Sequence, residues 1–362
     1  MHADGRITKL LCGRRAYALA ALVALGVCAA LAGCGSSSSS SSGSPASAVS
    51  KSHPGTKTVD VGVSAANINL LPLWIGEQQG DYTRAGLQIK TVTLTPTTTN
   101  TALTSGSVQF LDGSPNNFVT AVGQGVPQLA VSATSQGLPL GFVIGTKFAA
   151  AHHITTATPT TTIAKDLIGS TGGAASATTE GQTALFLEEN GVGIKQVKVA
   201  LLATPSVYLT ALRDGQIDWF STSEPLPLQA QAEGLGMVVG TPSNTKAWSP
   251  TNTGIGAIMI TTRQFAAQNA GTVKAFVTAT QEATRYLEAN EASAQVLDIA
   301  AKNLPGVPRS VLKQSIAAIE WRRNGDMTSE QWATTVNFIK KLGVLRAGSN
   351  ITSADWSNAY LN

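Results

Sequence analysis

Two carboxylates, Asp112 and Glu224, each sit in a small hydroxyl-bearing stretch that follows a short apolar run. Groups of this kind can hydrogen-bond a small polar molecule or exchange a proton with it. The stretches around them echo each other. TALTSGSVQFLDGSP (Thr101 to Pro115) and TALRDGQIDWFSTSEP (Thr210 to Pro225) share Thr-Ala-Leu, a following glycine (Gly106, Gly215) and a hydrophobic-polar-aromatic step. Each reads as a helix end, a glycine at the left-handed cap, a buried strand and a polar loop. Two α/β units that each deliver polar groups at the carboxyl end of a strand predict two similar lobes facing one cleft, because ligands of open α/β sheets bind beyond those ends.

Other chemistries are poorly supplied. The three cysteines, Cys12, Cys28 and Cys34, all lie near the start, which removes thiol catalysis and cysteine-rich metal sites from the body. His152 and His153 are the only histidines of the folded region, and adjacent residues do not share a face as spaced metal ligands do. The formal charge of +4 is concentrated in the leader, since Met1 to Gly33 carries Arg6, Lys9, Arg14 and Arg15 against Asp4. The rest is close to neutral with no basic stripe, which argues against nucleic acid as a partner.

At 362 residues the chain exceeds what one core usually serves. Residues 1–33 read as a secretory signal, with a basic start and an apolar run too short to span a bilayer comfortably. Residues 34–56, with seven consecutive serines, read as a flexible tether whose coil dimension is roughly 26 Å. The body then divides into lobe 1, from 57–142 and 252–362, and lobe 2, from 143–251. Strands and helices alternate through both, which predicts α/β lobes with mainly parallel sheets joined by two crossover segments. The first crossing is expected near 136–146, and the return in the polar, turn-rich 244–253. The glycine-rich 169–175 could bring backbone amides close to a ligand, but it lacks the Gly-Lys-Ser/Thr ending of a phosphate loop. Thr328 with Gln331 predicts a capping box for a helix that Gly343 ends. The apolar stripes of the C-terminal helices, and Trp74 and Trp219, read as core.

LPLWIGEQQGDYTRAGLQI (Leu71 to Ile89), TALTSGSVQF, DLIG (Asp166 to Gly169), YLTALRDGQIDWF followed by Glu224-Pro225, and FAAQNAGTVKAFVTATQEATRYL (Phe265 to Leu287) occur in this order over nearly the whole body. In that order and spacing the chain resembles the substrate-binding proteins of bacterial ABC importers, the sulfonate, nitrate and taurine group that also holds thiamine-pyrimidine-precursor binders. Leu31-Ala32-Gly33-Cys34 resembles a lipobox, in which Cys34 is lipidated. The resemblance implies a type II periplasmic-binding fold, no cofactor and no metal. Its pocket would be lined by Ser64, Asn67, Asn69, Asp112, Ser114, Asn116, Ser132 and Thr134 from lobe 1, and by Ser176, Thr178, Thr179, Ser221, Ser223 and Glu224 from lobe 2. Each of these residue types is also a common cap or turn former. The chain departs from its relatives at Ser170-Thr171-Gly172-Gly173, where they carry a firm strand.

The function implied is capture of a small polar solute outside the cytoplasm by a monomer tethered to the membrane through Cys34, and delivery to an ABC permease. The competing reading is a lyase or synthase on the same fold, such as a dehydratase using Asp112 and Glu224. The regulator-type use of this fold would need a DNA-binding segment, and none precedes the body.

Overall fold

A computed structural model describes residues 56–362 apart from 65–66, 96–97, 203, 205–206 and 350. The expected signal, Cys34 and nearly all of the tether lie outside the described residues.

The chain opens with β1 (Lys57–Val63), α1 (Leu71–Gln79), α2 (Asp81–Arg84) and β2 (Leu87–Thr93). Asn67 starts the 3-10 turn ahead of α1 by accepting from the Asn69 amide at 3.0 Å, and Pro72 sits in the first helical turn, where its missing N–H costs nothing. Next come α3 (Thr99–Thr104), β3 (Phe110–Gly113), α4 (Pro115–Gly123) and β4 (Gln128–Gln136). The second series is β5 (Leu140–Gly145), α5 (Thr146–Ala151), α6 (Thr160–Asp166), β6 (Thr171–Ala174), α7 (Ala177–Glu189), β7 (Lys198–Leu201), α8 (Tyr208–Asp214), β8 (Trp219–Ser223), α9 (Leu226–Ala232) and β9 (Gly236–Gly240). The return follows as α10 (Pro250–Thr253) and β10 (Ile255–Thr262). The chain then runs through α11 (Arg263–Gln268), α12 (Ala270–Asn290), α13 (Ala294–Asn303), α14 (Arg309–Ala317), β11 (Glu320–Trp321) and α15 (Ser329–Lys341).

The strands form two sheets, in the orders β11-β4-β10-β3-β1-β2 and β7-β6-β8-β5-β9. Both are mixed, with four parallel and five antiparallel pairings, so the expectation of mainly parallel sheets needs correcting. The physical reason is the crossing itself. β5 and β10 each arrive from the other sheet and run antiparallel to their neighbours on both sides. All of β5 belongs to the second sheet, so the 142/143 boundary read from the sequence falls inside a strand. The chain passes between the sheets at residues 137–139 and returns at 241–254.

The two echoing stretches occupy equivalent places. β3 lies between parallel β1 and antiparallel β10, and β8 lies between parallel β6 and antiparallel β5. Gly106 and Gly215 both take left-handed conformations, φ 78° and 74°, which turn each helix into its strand.

One face of the first sheet is covered by α1 and α12. Phe110 stacks on Phe276 at 3.9 Å between centroids, and Tyr82 stacks on Phe276 at 5.4 Å. The other face shares one continuous apolar cluster with the second sheet, running through Phe118, Trp332, Leu342, Trp248, Phe186 and Trp219. The Thr328–Gln331 capping box forms as expected at the start of α15. Residues 147–162, read as a surface connection, contain α5 and the start of α6. Among the described residues no helix is long and apolar enough to cross a membrane.

Candidate functional site

The two strand-end rims meet at the crossing. β4 ends at Gln136, and only residues 137–139 separate it from Leu140, which pairs with Ser223 at the carboxyl end of β8. The amide of Glu224 donates to the Pro139 carbonyl at 2.8 Å, and that of Gly137 donates to Gly254 at 2.7 Å. The outgoing and returning segments therefore run side by side between the carboxyl ends of β3 and β4 on one hand and of β8 on the other.

Most of the anticipated pocket residues have local duties. Ser114 caps α4 by accepting from the Asn116 amide at 3.2 Å, and Asn116 itself is buried. Ser176 caps α7 by accepting from Thr179 at 3.3 Å, and its hydroxyl lies 3.3 Å from that of Thr179. Thr178 is half-buried in the same first turn. Ser221, fully buried, shares a 2.6 Å hydrogen bond with Thr183 of α7. Ser223 is half-buried against Leu140, and Ser64 is exposed just after β1. Ser114 and Ser176 thus take the cap role that such residues take most often.

Glu224 has a structural duty too. Its carboxylate accepts from the Leu228 amide at 3.2 Å, inside the first turn of α9. Burial pushes this carboxyl up from its ordinary 4.5 to about 7, with the Leu228 amide opposing the shift. A folded-state value above the unfolded one means that the folded protein binds more protons between those two values. Stability therefore falls as pH rises through that window, by at most about 3 kcal/mol from this group. Glu224→Gln keeps an acceptor for Leu228 without the charge. Its melting temperature, followed from pH 4.5 to 8, should fall less than that of the wild type across the same range, and parallel curves would remove Glu224 from the account.

Asp112, Met259 and Ser132 form a row across β3, β10 and β4. Ser132 reaches this row because β4 carries an extra residue there. Ala130 faces Ile260 and Ser132 faces Met259, which leaves Val131 over; Thr134 is a second extra residue, between Ala133 and Ser135. The Ser132 hydroxyl has only long contacts, 3.4 Å to Ala133 O and 3.5 Å to Gly325 O, and the buried Thr134 hydroxyl has no partner among the described residues. A side chain on Gly325 would overlap Ser132, and Gln281 of α12 lies beside it and donates to Asn324 O. Asp112 is 7% exposed, and burial raises its carboxyl well above the usual range. Its Oδ2 has no hydrogen-bond partner among the described residues, and neither does the buried Oδ1 of Asn69.

Sequence reasoning missed Gln281, Thr280 and Tyr82. Thr280 bonds the Tyr82 hydroxyl at 2.9 Å, and it lies with Gln281 and Thr284 on the buried side of α12. Three buried polar residues within an otherwise apolar stripe were the available signal.

The glycine-rich 169–175 is not an amide cradle. It contains β6, and Gly172 lies against the Trp219 ring, which a side chain there would overlap. Trp219 in turn donates from Nε1 to Ser170 Oγ at 2.8 Å. A cavity of about 240 Å3 at the crossing is lined by Gln136, Gly137 and Leu138, by Pro242 and Pro250, and by Ala317 to Glu320. A second, of about 290 Å3, lies between α15 and residues 351–356. None of the fourteen anticipated residues lines either.

The fold is similar to that of solved structures of low sequence identity. The alkanesulfonate-binding protein SsuA from Xanthomonas axonopodis pv. citri, bound to MOPS, is 15% identical, with 84% of this chain and 99% of that one covered at a TM-score of 0.64. A Candida albicans gene product that defines a family with the generic periplasmic binding protein fold is also 15% identical, with 84% and 98% covered at 0.65. The desulfurization enzyme DSZB is similar as well, at 15% identity, 84% and 97% coverage and a TM-score of 0.58. The chain thus has the periplasmic-binding-protein fold. The family model described as NMT1/THI5 like matches residues 67–294, more than half of the sequence, and the chain belongs to that family. No curated protein matches it.

Proposed function

We propose that this protein is an extracytoplasmic solute-binding lipoprotein that captures a small polar solute between its two lobes and hands it to an ABC permease. The observation that carries this reading is the pair of adjacent crossings, 137–139 and 241–254, placed between the carboxyl ends of equivalent strands in two sheets. Two segments joining two sheets can serve as a hinge, and a ligand that touches both sides favours the closed arrangement through contacts made only there. In this reading lobe 1 is 57–139 with 252–362 and lobe 2 is 140–251, the 142/143 boundary read from the sequence being moved back to the start of β5. Cys34 carries the lipid, residues 34–56 form the tether, and the protein works as a monomer. The solute class of this reading is sulfonate-, taurine- or nitrate-like, or pyrimidine-like, and sulfonate binding by SsuA supports the first of these. Native mass spectrometry of freshly purified protein lacking residues 1–34 tests the reading: a retained small mass, released by mild unfolding, is the expected result, and product formation from a bound compound would favour an enzyme.

The second reading, an acid-base enzyme of dehydratase type, draws on the likeness to DSZB and on the raised carboxyls of Asp112 and Glu224. The engagement of Glu224 with α9 weighs against it, because a group that must shuttle a proton to substrate needs access to it.

A further inference from the structure

Asp112 and Ser221 hold equivalent positions in the two echoing stretches, and both are buried near the carboxyl end of the strand that neighbours the crossing strand. Their surroundings differ. Ser221 is satisfied by Thr183 of the helix that covers it. The Asp112 carboxyl, in contrast, keeps Oδ2 buried without a partner among the described residues, between Val63 and Met259 in the sheet. A buried acceptor left open is costly, and native proteins retain such groups where an outside partner completes them. The position is at the rim. Val63, which pairs with Asp112, is the last residue of β1, and beyond it lie exposed Ser64 and Asn69 with its open Oδ1. Both open atoms can accept, and none of the fourteen anticipated residues is a lysine or arginine, so a cationic donor is what this rim lacks, and one would favour the ionised form of Asp112 that burial disfavours.

Resting on the solute-binding reading, we propose that Asp112 is the specificity-determining residue of lobe 1 and that it selects solutes presenting nitrogen-bound hydrogen, as an ammonium, amidine or amino group, over oxyanions that have none. Such a donor would meet Oδ2, for which the described residues provide no partner. A bare oxyanion would bring only acceptors, and negative charge, to a place with no cationic side chain among the anticipated residues.

Two measurements test this. In solute-free protein, Asp112→Leu should raise the melting temperature by roughly 2–4 °C, because it removes an unsatisfied buried acceptor. A fall of several degrees would mark Asp112 as a structural residue and overturn the proposal. Matched pairs then test selection: taurine against ethanesulfonate, and benzamidine against benzoate. The amine- or amidine-bearing member should stabilise wild type at least tenfold more tightly than its partner, and Asp112→Asn should abolish the difference. Equal binding of both members, unchanged in Asp112→Asn, would overturn the selection while leaving solute capture intact. Absence of binding by every probe, together with no retained solute in the fresh protein, would overturn solute capture itself and the proposal with it.

Discussion

Replacing Gly254 with alanine is expected to destabilise the protein by roughly 2–6 kcal/mol, the sum of a strained backbone and a steric overlap. Gly254 has φ 75° and ψ −127°, a conformation essentially reserved to glycine. A methyl group there would also overlap the Thr335 hydroxyl and lie 2.9 Å from the Gln331 carbonyl oxygen. The crowding has a purpose. Thr335 accepts from the Ile255 amide at 2.9 Å and donates to Gln331 O at 2.8 Å, which fixes the first residue of β10 against α15. The Gly254 carbonyl accepts from Gly137 in the outgoing crossing, so one residue ties both connections together. Urea unfolding of Gly254→Ala measures the loss. Measured in a Thr335→Ala background, Gly254→Ala should cost less by the hydroxyl overlap alone, since the contacts with Gln331 O and Thr335 N remain, and no residual cost would show that the backbone conformation carries none.

Trp248→Ala should cost about 3–5 kcal/mol, the usual range for deleting a fully buried large aromatic. Trp248 lies on the returning segment and packs on Phe186 of α7 at 5.6 Å between centroids, while its Nε1 donates to Gln182 O at 3.1 Å. The preceding amides of Lys246 and Ala247 both donate to the Glu189 carboxylate, at 2.7 and 2.8 Å. The segment is thereby fastened to the second sheet before it crosses. Trp248→Phe keeps most of the ring and loses the hydrogen bond, so it should fall between wild type and alanine in urea unfolding. A loss below about 1 kcal/mol for alanine would mean that this segment is not anchored through the tryptophan.

The sequence carried the local units clearly and the long-range ones poorly. Gly106 and Gly215, set between a helical Thr-Ala-Leu and an aromatic strand, are sufficient to place β3 and β8 and to suggest that they correspond. Thr328 and Gln331 likewise announce a helix start by themselves. Strand direction is different, because β5 and β10 run antiparallel only through partners that are remote in sequence, and alternating strands and helices read as parallel in any case. The same limit governs the polar groups. Ser114, Ser176 and Glu224 look alike to a reader of residue types whether they face a ligand or bond a nearby amide, and the structure gives each an amide. Asp112 stands apart only when its surroundings are known, since nothing in its own stretch says that its Oδ2 will lack a donor. Gln281 was hidden for the opposite reason: its helix is apolar enough to read as plain packing. Gly172 looked like an open loop residue, yet it is a place kept clear for Trp219.

The central claim is that two lobes hinge at residues 137–139 and 241–254 to enclose a solute. Small-angle X-ray scattering of the protein, first emptied and then saturated with the compound it retains on purification, tests it most directly. The account predicts a smaller radius of gyration with solute bound, reversed on its removal; the same radius in both states, with binding verified in the same samples, would contradict it.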